Sequence, residues 1–70
     1  MTNKALKRIG NKLQSARKLK GLTQEQVADK VGITRSYYAQ VERGERNPTT
    51  TVIMAIISAI GVDMTDVLGK

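Results

Sequence analysis

Arg35, Ser36, Tyr37 and Gln40 crowd a guanidinium, two hydroxyls and a carboxamide into one short segment of the chain. Such groups hydrogen-bond to the edges of nucleobases. Arg35 can donate a bidentate pair to guanine O6 and N7, and Gln40 can pair with adenine N6 and N7 or serve a guanine. Ser36 is an adaptable third contact. Tyr37 can lay its ring on a thymine methyl with its hydroxyl at a phosphate, or it can pack as a partly buried residue. The chain has no Cys and no His. That excludes disulfides, thiolate or imidazole metal ligands, and Cys- or His-based catalysis, so neither a metal nor a cofactor nor an enzyme is expected.

The elements that must position these groups are written from Leu22 to Gly44, LTQEQVADKVGITRSYYAQVERG. Thr23 is an N-cap with Gln26 three residues on to complete a capping box, and Val27, Ala28 and Val31 follow at helical spacing. Gly32 ends that helix. Thr34 caps the next one, in which Tyr38 sits three residues before Val41 and is assigned to the core, leaving Arg35, Ser36, Tyr37 and Gln40 outward. Two short helices joined by a tight turn make a helix-turn-helix over residues 23–43.

Gly21, Gly32, Gly44 and Gly61 each follow an apolar-periodic stretch, as helix-ending glycines do, and they divide the chain into five helices. The first is expected from Asn3 to Lys20 with Leu6, Ile9, Leu13 and Ala16 inward. The second runs from Gln24 to Val31 and the third from Arg35 to Arg43. The fourth follows Pro48 with Thr49 as N-cap, and Asp63 caps a short fifth that reaches Leu68. Thr49 to Val52 is rich in β-branched residues, but Ile53, Ile56, Ile57 and Ile60 share one helical face and no partner strand is visible, so a strand is rejected. The expected fold is a single all-α domain over residues 1–70.

The net charge is +6, and seven of the twelve Lys and Arg lie in the first twenty positions, a stretch with no acid. Polyanions are the natural partners of such a chain. The start Met-Thr-Asn-Lys lacks an apolar signal core, and the run from Val52 to Ile60 is too short to span a bilayer. A cytoplasmic protein is expected. Binding to a membrane surface through the basic first helix has weak support, because Leu6, Ile9 and Leu13 are needed in the core.

Arg17, Gly21, Leu22, Thr23, Gln24, Ala28, Gly32, Ile33, Thr34, Glu42, Gly44, Pro48, Gly61 and Val62 stand in the register of a known pattern. On these residues the chain resembles the DNA-binding domain of the Cro/cI-type phage-repressor family, over roughly Lys4 to Leu68. The resemblance implies a compact five-helix domain that binds operator DNA as a dimer, with the third helix as the reading element. It also implies that Arg17 and Glu42 join the first helix to the third by a salt bridge. Thr23 and Gln24, at the start of the second helix, and Arg43, Arg46, Asn47 and Thr49, after the third, would hold phosphates.

The fourth helix carries more apolar surface than one core-facing stripe needs. Val52, Ala55 and Ala59, with Met64 and Val67 on the fifth helix, are therefore expected to form a homodimer interface, while Met54 suits either core or interface. The function implied is a sequence-specific transcriptional regulator on a pseudo-twofold operator, most simply a repressor of a phage, plasmid or restriction-modification promoter. No small-molecule effector is evident. The competing reading is an antitoxin or adaptor that uses the same fold to bind a protein, with the fourth and fifth helices as its docking face.

Overall fold

The computed structural model describes residues 4–63 together with Thr65 and Val67. Its helices are α1 (Lys4–Leu19), α2 (Gln24–Val31), α3 (Arg35–Glu42) and α4 (Thr50–Ile60), and no strand occurs among the described residues. Each of the last three opens on a threonine in extended backbone whose hydroxyl takes up an otherwise unpaired N–H of the first turn. At α2 the box is reciprocal: Thr23 Oγ1 accepts from the Gln26 N–H at 3.0 Å and Gln26 Oε1 accepts from the Thr23 N–H at 2.9 Å.

Four helices are thus delimited among the described residues, where the sequence led us to expect five. Of the expected fifth, Met64, Asp66 and Leu68 lie outside the described residues, while Thr65 and Val67 have helical backbone. Asn3, the expected start of α1, also lies outside them. The α3 helix ends at Glu42, one residue short of the expected Arg43.

A single core gathers Leu13 from α1, Val27 and Ala28 from α2, Tyr38 and Val41 from α3, and the Ile53, Ile56, Ile57 and Ile60 stripe of α4. The α4 spacing therefore makes a helical face, as the rejected strand could not. Val67 joins this cluster at 2 % exposure. It was expected at a dimer interface, and that expectation is corrected: a domain this small needs the side chain to complete its core, so Val67 has no face to offer a second copy.

On α1 only Leu13 of the expected inward residues is fully covered, while Leu6, Ile9 and Ala16 are half-buried. The helix also buries Gly10 and Arg17, two turns apart, toward α3. A Cβ at Gly10 would collide with the Glu42 carbonyl oxygen and stand 2.7 Å from that of Val41. Glycine is what lets the α1 backbone lie directly on the last turn of α3.

Candidate nucleic-acid interface

The start of α3 is presented to solvent by the turn from Gly32 to Thr34. Arg35 and Ser36 are exposed, Gln40 is half-buried, and Tyr37 is half-buried against the core, so its ring serves packing even if its edge stays accessible. Tyr38 is fully buried. All four expected base-reading residues therefore lie on one short helix, with Arg35 and Ser36 standing furthest out.

What fixes the angle of that helix is a buried network. Arg17 Nε donates to Glu42 Oε2 at 2.7 Å, and a second donation from Nη2 to Oε1 spans 3.3 Å. Arg17 Nη1 donates to the Leu22 carbonyl at 2.8 Å, which ties in the loop before α2. Burial pushes the Glu42 carboxyl up, but the hydrogen bonds from Arg17 and Gln24 outweigh it and hold the pKa below the usual carboxylate value. Arg17 is held above its ordinary value by the Glu42 hydrogen bond. The Tyr38 hydroxyl is buried beside this pair, and burial together with the neighbouring Glu42 carboxylate raises its pKa.

Gln24 belongs to this network as well. Its Nε2 donates to Glu42 Oε1 at 3.0 Å, so the half-buried carboxamide ties α2 to α3. What α2 offers an anion is its first-turn backbone, because the Thr23 side chain caps only the Gln26 N–H there. Thr23 Oγ1 accepts that cap bond and keeps its own O–H to donate. Around this helix start Arg17, Leu22, Thr23, Gln24, Glu25 and Arg35 line an open cleft of about 430 Å³. The Arg35 guanidinium and the helix N-terminus suit it to an oxyanion, with Glu25 opposing and the Arg17 charge already paired with Glu42.

The other flank of α3 is a loop held in one path. Gly44, at φ 74°, sits where its N–H reaches the Val41 carbonyl at 3.1 Å, and the Glu45 N–H reaches the Gln40 carbonyl at 2.9 Å. That is a Schellman motif with glycine in its left-handed position. Beyond it, Arg43 Nε donates to Glu45 Oε2 at 2.9 Å and Arg46 Nε donates to Gln40 Oε1 at 3.1 Å, all on the surface. Asn47 is exposed, and Thr49 is spent as the α4 cap while retaining its O–H. Lys7 and Asn11 of α1 stand with Arg43 and Glu45 around a further open pocket of about 460 Å³, which extends the basic surface onto α1.

A helix-turn-helix family profile matches residues 13–67. The chain belongs to the helix-turn-helix family. This helix-turn-helix protein is 34% identical over 62 residues to the immunity repressor protein of Bacillus phage phi105, an alignment that takes in 89% of the chain but 43% of the phage protein. The chain thus spans less than half the length of that relative. Its fold is similar to that of the restriction-modification controller protein C.AhdI from Aeromonas hydrophila, with a TM-score of 0.83 and 35% identity over 89% of this chain and 94% of the other. It is also similar to the controller protein C.Esp1396I, solved as a tetramer in complex with its natural 35 base-pair operator, at a TM-score of 0.82 and 28% identity over 90% and 83% of the two chains.

Three features of the site were not foreseen from the sequence of this helix-turn-helix protein: the close approach at Gly10, the inward turn of Gln24, and the pairing of Gln40 with Arg46. An unexplained glycine in the middle of an amphipathic helix was the visible signal for the first. The others carry no signal, because they depend on where two separate segments come to rest. At the expected dimer face Val52 and Ala59 are half-buried against the core and Ala55 is half-buried, while Met54 is 45 % exposed. Met64 lies outside the described residues.

Proposed function

We propose that residues 1–70 act as one sequence-specific DNA-binding domain of a transcriptional regulator, working in the cytoplasm as a homodimer on a pseudo-twofold operator. The observation that carries this is the exposed, outward-facing start of α3, with Arg35 and Ser36 on it, braced from behind by the buried Arg17–Glu42–Gln24 network. In this reading α3 enters the major groove and Arg35 takes a guanine. The cleft at the start of α2 and the Arg43, Arg46, Asn47 and Thr49 loop grip phosphates on either side and set the register.

The family is one of DNA-binding regulators and not an enzyme class, and repression is the simplest outcome of occupying a promoter. The half-exposed apolar residues of α4, namely Val52, Met54, Ala55 and Ala59, supply the dimer contact. Two recognition helices related by that contact reach successive major grooves. Selection from a random duplex pool tests the proposal. The expected result is a twofold-symmetric consensus bound about a thousandfold or more tighter than unrelated DNA. Equal affinity for every duplex would leave only charge attraction and overturn it.

A further inference from the structure

Glu45 is an acid set between Arg43 and Arg46, in the basic loop proposed above to grip phosphate. It holds Arg43 by two bonds, with Nε donating to Oε2 at 2.9 Å and Nη2 to Oε1 at 3.1 Å. We propose that Glu45 is an affinity-setting residue of the interface: its carboxylate stands beside the guanidinium that would meet a DNA phosphate, and it holds down the affinity for every duplex whatever the base sequence. This deepens the DNA-binding reading above and rests on it.

The opposition is one of charge and not of donor count. A guanidinium has five N–H donors, so Arg43 keeps Nη1 and one hydrogen of Nη2 while Glu45 is bound. A phosphate can therefore take over the edge that Glu45 holds, or join at the remaining edge with the pair intact. In the first case the pair is broken and a bare carboxylate is left next to an anion. In the second, two anions share one positive charge across a single guanidinium, closer together than the Debye length of about 8 Å at physiological salt. Either complex is weaker than the one Arg43 would form beside a neutral side chain.

The backbone fixes the acid in this place. The Glu45 N–H closes on the Gln40 carbonyl at 2.9 Å while Gly44 takes the left-handed turn. A side chain at Gly44 would stand 2.8 Å from the Lys7 Cα, so α1 confines the turn from behind. Lys7 and Asn11 border the same open pocket as Arg43 and Glu45, and Glu45 is the one acid among the described residues that line it. The Arg43 hydrogen bonds, with Arg46 nearby, hold the Glu45 carboxyl below its usual value, so its charge is present at neutral pH. Its side chain is 50 % exposed and can be changed without opening the core.

Titrations of wild type, Glu45→Gln and Asp63→Asn against the selected operator and an unrelated duplex, at one fixed salt concentration, test this. Glutamine keeps the side-chain length and the backbone bond and removes only the charge. Glu45→Gln should bind both duplexes more tightly, by about three- to fivefold for each subunit bound, the upper end of what an exposed ion pair is worth, with base preference unchanged. Asp63→Asn makes the same change in net charge beyond the far end of α4, whose 11 residues span roughly 16 Å, and should alter affinity far less. Unchanged or weaker binding by Glu45→Gln, or an equal gain in Asp63→Asn, would overturn the inference while leaving the proposed function intact. So would a change confined to one base pair of the operator, which would make Glu45 a reader of cytosine N4. Failure of the wild type to bind any duplex would overturn both.

Discussion

Arg17 and Arg43 each donate through Nε to a glutamate, at 2.7 and 2.9 Å, yet the two pairs sit in different physical worlds. The side chains of Arg17 and Glu42 are 9 % and 1 % exposed, and those of Arg43 and Glu45 are 57 % and 50 % exposed. Water and salt screen the second pair, which holds two mobile side chains for little return. The first cannot exchange its partner for water, so losing either member strands a charge in a low-dielectric site. Similar bond lengths therefore carry unequal roles: the buried pair fixes the angle of α3, and the surface pair can exchange Glu45 for water or, in the function proposed above, for a phosphate.

Breaking the buried side should give the largest effect. Arg17→Ala or Glu42→Ala is expected to destabilise the domain by about 3 kcal/mol, the lower end for a buried pair because an open cleft reaches Arg17. Urea melts of Glu45→Ala should superimpose on wild type in the same buffer. Melts of all three that coincide would show the buried network to be idle. Acid sharpens the contrast. The folded-state pKa of Glu42 lies below its ordinary value of 4.5, so its contribution is complete above that pH and is lost as pH falls through the lower folded value. The urea midpoint should therefore drop on acidification below about pH 4.5, and less so in Glu42→Gln. A wild-type midpoint that stays flat across that range would contradict this.

Gly10→Ala tests the packing behind the pair. The added methyl meets two backbone carbonyls of α3, which cannot swing aside as a side chain end could, so α1 must move off. We expect a loss of about 2 kcal/mol, measured by thermal or urea unfolding, although alanine is the better helix former. A variant as stable as wild type would mean that the two helices are not in backbone contact.

On the exposed side the expected changes are in binding and not in stability. Arg35→Ala should remove about 1–2 kcal/mol of preference at one base pair of each half-site and leave nonspecific affinity largely intact. Arg43→Ala should weaken binding to all sequences alike, and the slope of log affinity against log salt should become shallower by roughly 0.9 for each phosphate that is no longer neutralised. Titrations against the selected operator and its single-base variants at several salt concentrations separate the two. A changed base preference in Arg43→Ala with only a salt effect in Arg35→Ala would reverse the division of labour.

Much of this molecule is determined locally and was legible in the residue order. Thr23, Thr34 and Thr49 start helices because a hydroxyl one residue before the first turn satisfies an N–H that nothing else can reach, and Gly32, Gly44 and Gly61 adopt left-handed backbone where helices stop. The isoleucine spacing of α4 selects a helical face, and the order Arg35, Ser36, Tyr37 and Gln40 places donors on a single short helix. Only the tertiary structure decided which polar groups meet. Gln24 and Glu42 are eighteen residues apart and Arg17 and Glu42 twenty-five, so no local rule brings the carboxamide inward, and Gln40 meets Arg46 only after the Gly44 turn folds the chain back. Val67 was assigned to a surface for the same reason. Periodicity tells which residues are apolar, but which of them the core takes depends on how four helices and the segment after them fill one small volume.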